Sequence, residues 1–235
     1  RRPILAAGLA ILIALFKSLK IKGLSYNSAA LREGAIYEME SSLSHGDIRE
    51  RSAQSLATRY NVDTEHAQRV LSTCFDLYKQ CKSQWKLNDR KHKAIIGWAA
   101  LLHEVGLQIN SKGVQKHTYY ILKNSELPGF NSEQQEFLAL LNLMQRKKVN
   151  LETLPRFGQY SQIEFLKCMI ILRLSVLLNI KRQNEFVPEV SLSISDFNIQ
   201  LLFPDNWLDT HPIIKADLEK ESQRYEKIGF SLQLN

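Results

Sequence analysis

The sequence predicts a mainly α protein: a helical bundle, then a small antiparallel α+β module. Three observations predict it. From residue 43 to 186, apolar residues recur at helical spacing between recognisable caps. Beyond Pro188 the apolar period drops to two. Hydrophobic residues make up 44% of 235, enough for a substantial core. Residues 1–42 read as a separate helix-strand-helix piece, too small to complete a sheet alone. The expected units are therefore 1–42, 43–186 and 187–235.

The first piece is unusual. Ile4 to Leu19 is apolar nearly all round, which predicts burial on several faces, and Gly23 ends it. The run is short of the roughly 20 residues a membrane span needs. Lysines follow it without a small-residue cleavage site. It reads as a buried helix of a larger domain that continues upstream, in agreement with a start at Arg1-Arg2-Pro3 rather than Met. Leu24–Asn27 is extended and Ala30–Met39 helical.

In the bundle, Asp63 caps a helix that carries Ala67, Val70, Leu71, Cys74, Phe75, Tyr78 and Cys81 on one stripe. The next helix runs from about Asp89 to Val105 and stops at Gly106. Another covers Ser111 to Lys123. Asn131 caps a helix through Phe137, Leu141 and Met144, closed by the basic residues Arg146-Lys147-Lys148. After Pro155, Ile163 to Ile180 is apolar enough to be central. In the tail, Val190/Leu192/Ile194 and Phe197/Ile199/Leu201/Phe203 form a hairpin around Ser195-Asp196. Pro212 opens a helix to about Lys227, and Phe230/Leu232/Leu234 add a strand.

The three cysteines are Cys74, Cys81 and Cys168. On one helix the first two stand roughly 10 Å apart, beyond disulfide reach. All three read as core hydrophobes in a reducing, cytoplasmic setting. The net charge of +7 and pI near 9.3 favour anionic partners. P-loop, dinucleotide-binding, nucleophile-elbow and RNA-binding signatures are absent, and no DNA partner is expected.

Two sets of residues could carry chemistry. The first is His66, the pair His103-Glu104, and His117. In HD-type phosphohydrolases a His, a His-Asp pair and a later Asp hold one or two metals that activate water. Here the order is similar, but Glu stands at 104 and no Asp occurs between Asp89 and Asp196. The pattern favours a degenerate site without metal, with His103 a polar residue satisfied inside the bundle. An HD-type hydrolase active within this chain is the alternative. The second set is basic: Lys112, Lys116 and His117; Arg146, Lys147 and Lys148; Arg156; Lys181 and Arg182. Gathered on one side, these would make a track for phosphates. Solvated helix ends are the simpler reading of any one of them.

With these residues in view, the chain resembles the C-terminal part of the exopolyphosphatase / guanosine pentaphosphate phosphohydrolase (Ppx/GppA) family. The segments that carry the resemblance include RRPILAAGLAIL, ALREGAIYEME, DIRERSAQSLATRYNVD, GWAALLHEVGLQIN, KHTYYILKNSELPGFN, LPRF and HPIIKADLEKE. ALREGAIYEME looks more like the exopolyphosphatase branch, the tail more like the pentaphosphate branch. The resemblance implies that residues 1–42 are a remnant of an actin-like (ribonuclease H-like) domain and that the bundle is HD-like. It implies an upstream catalytic half that holds Mg²⁺, with no cofactor in this chain. It also implies a homodimer and a basic channel for polyphosphate or guanosine pentaphosphate. Arg32 and Glu33 match the segment next to the catalytic domain; His103, Lys116, His117 and Arg156 match segments where channel lining is expected. No catalytic residue transfers. A basic surface also fits peripheral contact with an anionic membrane. The chain is expected to be the regulatory, substrate-holding part, inactive alone; a pure dimerisation module is a further alternative.

Overall fold

A computed structural model of the chain describes residues 2–23 and 47–235. The apolar N-terminal run forms α1 (Arg2–Leu19). Among the described residues it stands uncovered: Leu5, Leu9, Ile11 and Leu19 are all more than half exposed. The expected strand at Leu24–Asn27 and helix at Ala30–Met39, with Arg32 and Glu33, lie outside the described residues.

The bundle starts at α2 (Ile48–Arg59), where Asp47 accepts from the Arg49 backbone N–H. Asp63 does the same for α3 (Thr64–Cys81), accepting from His66 N at 2.9 Å. Of the expected stripe of α3, Ala67, Val70, Cys74, Tyr78 and Cys81 are buried and Leu71 and Phe75 half-buried, and all three cysteines are free and buried. Burial pushes the thiols of Cys74 and Cys81 up to about 12. They pack as small hydrophobes, as expected.

The helix predicted over Asp89–Val105 is a wide π-type turn (Asp89–Lys93) running into α4 (Ala94–Leu102). Gly106 is not its cap. It sits in a 3-10 turn, Val105–Gln108. A Cβ there would come within 2.5 Å of Thr118 N and Val114 O. The glycine therefore lets the next helix, α5 (Val114–Asn124), lie against the turn. A capping box of Asn131 and Gln134 starts α6 (Ser132–Leu143). Arg146, Lys147 and Lys148 follow the C-cap Met144 instead of filling the last turn. They stand on a loop in which Lys147 is left-handed, φ +64°. A second capping box, Ser161 with Glu164, starts α7 (Gln162–Leu178). Phe165, Cys168, Met169, Ile170, Ile171 and Leu172 are fully buried along it. Each large apolar side chain contributes about 1.5–3 kcal/mol on burial, so α7 is the axis of the core.

Strands β1 (Ser191–Ser195) and β2 (Asn198–Leu202) form the expected hairpin, with Leu192 opposite Leu201 and Ile194 opposite Ile199. Next comes α8 (Pro212–Glu226), with Pro212 in its first turn, and then β3 (Ser231–Leu234). The predicted antiparallel module is corrected here: β3 pairs with β2 in parallel. A parallel neighbour requires a crossover, and α8 is that crossover. Ile214, Leu218 and Tyr225 are the buried apolar side chains of α8. No helix among the described residues is long and apolar enough to cross a membrane.

Candidate functional site

The cap on α3 places His66 in the first helical turn, where it is buried. His103 follows the last residue of α4 and is also buried. The two imidazoles meet with ring centroids 5.3 Å apart. His103 Nδ1 lies 2.7 Å from the Ala100 carbonyl. A carbonyl only accepts, so Nδ1 carries the proton and Nε2 is left with a lone pair. Nε2 is buried without a partner. The expectation that His103 is a satisfied polar residue thus holds for one nitrogen only. Burial lowers the His103 pKa to about 4, against the opposing pull of Glu104. Burial likewise lowers that of His66. Both rings are neutral near pH 7.

Glu104 completes the group. Its Oε2 is 4.0 Å from His66 Nε2. A ring nitrogen of each histidine and a Glu104 oxygen lie within 4.8 Å of one another. Two imidazoles and a carboxylate match three-ligand sites for zinc-like metals. However, both Glu104 oxygens accept from Arg182 Nη2, at 2.5 and 2.6 Å. The other arm of Arg182 reaches Asp63 Oδ2 at 3.2 Å. A guanidinium already neutralises the carboxylate that a metal would need, so the donor set fits a metal poorly. His117 is not in this group.

A cleft of about 330 Å³ opens beside it, between α7, α8 and the loop after α6. Of the residues singled out in the sequence, His66, Glu104, Arg146, Lys147 and Arg182 line it. Arg173, Arg224 and Gln145 line it too and were not anticipated. The cleft carries five basic side chains against three carboxylates. Arg224 pairs with Glu221 at 2.6 Å. Arg146 and Lys147 have no carboxylate partner among the described residues. Arg173 binds Glu221 and also donates to the carbonyls of Met144 and Lys147. It therefore fixes the backbone that presents Arg146 and Lys147. Gln145 donates to the His103 carbonyl at 2.6 Å, tying the loop to the histidine pair.

The remaining basic candidates lie outside this cleft. Lys112, Lys116 and His117 stand before and in the first turn of α5. Lys148, Arg156 and Lys181 are exposed and do not line it. One signal could have found Arg173: it is the lone charge in the apolar run from Cys168 to Leu178, and such a charge has to be paired when buried.

Comparison with known proteins comes to the same region of sequence space. The family model described as Ppx/GppA phosphatase, domain III, matches residues 48–222. A guanosine-5'-triphosphate,3'-diphosphate pyrophosphatase of Aeromonas salmonicida is 36% identical over 234 residues, covering all of this chain and 47% of that protein. Proteins of the same name from Pseudoalteromonas translucida and Vibrio cholerae are 34% and 33% identical, with 47% of each covered. The chain spans about half the length of the curated relatives it matches.

Proposed function

The chain belongs to the Ppx/GppA phosphatase family, and from that premise we propose that it is the substrate-holding, regulatory part of a phosphoanhydride hydrolase. The substrate of the whole protein is guanosine pentaphosphate, as the names of the relatives suggest, or inorganic polyphosphate. Hydrolysis, and the Mg²⁺ it uses, belong to the part of the protein that this chain does not span. The chain alone is inactive. The bundle is HD-like, residues 1–42 belong with an actin-like domain, and the whole protein is a cytoplasmic homodimer.

The basic cleft carries this reading. Arg146 and Lys147 are exposed, close to Arg182 and Arg224, and held on a pinned loop. Lys and Arg bind phosphate oxygens by charge-assisted hydrogen bonds. Lys112, Lys116, His117, Lys148, Arg156 and Lys181 are further basic side chains outside the cleft. A polyanion can engage many weak sites of this kind at once.

Hydrolysis at the histidine cluster of this chain has less support. Three donors converge there, but Arg182 holds the only carboxylate among them. The test is retention of long-chain polyphosphate by the 235-residue chain across a salt series. Binding that weakens steeply with salt supports the reading. Retention unchanged when Arg146 and Lys147 are replaced by Ala would remove the cleft from it. Phosphate release by the purified chain itself would transfer the chemistry to His66 and His103.

A further inference from the structure

We propose that the cleft seats the end of a phosphate chain, a terminal diphosphate group, and not a stretch along its length. This rests on the reading of the cleft as part of the phosphate-binding surface and narrows it.

Size is the first argument. At about 330 Å³ the cleft is at the lower end of small-molecule pockets, about 300–1,000 Å³. The buried pair of Arg173 and Glu221 forms part of its lining. A long polyanion laid through it would meet the carboxylates of Glu104, Asp217 and Glu221. A chain end can stop at Arg146 and Lys147, which have no carboxylate partner among the described residues. Charge is the second argument. A terminal phosphate ionises twice near neutral pH, an internal one once, so clustered cations in a confined space favour the end.

Preorganisation is the third. Arg146 and Lys147 are neighbours on a loop whose carbonyls at Met144 and Lys147 are held by Arg173. Their side chains are unspent, and the backbone beneath them is already fixed, so binding has only the side chains left to order. Arg182 can add a third contact by exchanging Glu104 for phosphate. Both are oxyanions, and its guanidinium is 40% exposed.

The experiment uses the 235-residue chain with end-labelled polyphosphate, pyrophosphate and tripolyphosphate. An end seat predicts that pyrophosphate displaces the labelled chain, and that affinity per chain end stays constant as chains lengthen. Replacing Arg146 and Lys147 by Ala should weaken pyrophosphate about tenfold or more, since each charge-assisted contact is worth on the order of a factor of ten. Both side chains are exposed on a loop, and circular dichroism checks that the variant folds. If affinity instead rises with chain length and pyrophosphate does not compete, the end seat is wrong and the lateral track stands. If no polyphosphate binds at all, both readings fall together.

Discussion

Arg173 in the middle of α7 and Glu221 on α8 form a buried ion pair that joins the bundle to the C-terminal module. Nε to Oε2 is 2.7 Å and Nη2 to Oε1 is 2.8 Å. Their side chains are 1% and 6% exposed. Burial alone would lower the Arg173 pKa, but hydrogen bonds and charge from Glu221 and Tyr225 hold it above the ordinary value. Removing one partner would leave an unpaired buried charge. Arg173→Ala and Glu221→Ala should each cost about 3–5 kcal/mol of stability in urea unfolding. In a double-mutant cycle the two losses should be far from additive. Additive losses would mean that the pair is not coupled. Glu221→Ala would also free Arg224, so its effect on pyrophosphate binding reports on the cleft separately from stability.

Gly106 is a packing glycine. Gly106→Ala places a methyl against backbone atoms of α5 at 2.5 Å, and helix backbone cannot swing aside as a side-chain end can. We expect a destabilisation of about 1–3 kcal/mol or more, read as a lower urea midpoint with an unchanged slope. Gly97→Ala is a useful contrast. Its Cβ would meet the Phe75 ring edge at 3.1 Å, a side chain that can give, so the loss should be smaller. Equal losses would contradict the close-approach reading.

Stability should fall in acid partly through His103. Its folded pKa, about 4, lies below the unfolded value near 6.5. The unfolded state therefore takes up the proton first as pH falls. The stability associated with the neutral ring is present above pH 6.5 and is lost between there and about pH 4. Glu104, His66 and Arg182 are the charged and titratable groups that act on it: Glu104 favours its protonation, and Arg182, with His66 once that ring takes up a proton, opposes it. In EDTA, His103→Gln should flatten the stability profile between pH 6.5 and 4. A profile as steep as that of the unaltered chain would assign the acid sensitivity elsewhere, His92 being the first suspect, since burial also lowers its pKa.

Arg182 should keep the histidine cluster free of metal. The purified chain, desalted after exposure to zinc, is expected to retain well under one equivalent. Arg182→Ala releases Glu104 and should raise zinc retention, and adding His66→Ala should abolish the gain. One full equivalent on the unaltered chain, lost in His66→Ala, would overturn the view that the guanidinium occupies the carboxylate.

Several features were legible in the residues because they are local. Asp63 and Asn131 announce helix starts, since a capping side chain acts within three residues of itself. The apolar content of Ile163–Ile180 marked it as central before any neighbour was known. The basic loop Arg146-Lys147-Lys148 was legible in composition but not in form. A helix C-terminus and the loop beyond it draw on the same basic residues, and only the position of the last hydrogen bond separates them.

What the sequence by itself determined is the helical body, the hairpin, the buried thiols and the family. Each follows from periodicity, capping or motif, all short-range signals. Only the tertiary structure decided the rest. It set β3 parallel to β2, because strand direction depends on where the crossover returns the chain. It assigned Gly106 to close packing instead of a cap, because the contact comes from a helix later in the chain. It also set Arg182 on Glu104 and Arg173 on Glu221, pairs separated by 78 and 48 residues. Charges that far apart in sequence meet only when packing of the core brings them together, and a one-dimensional pattern carries no record of which partner each will find.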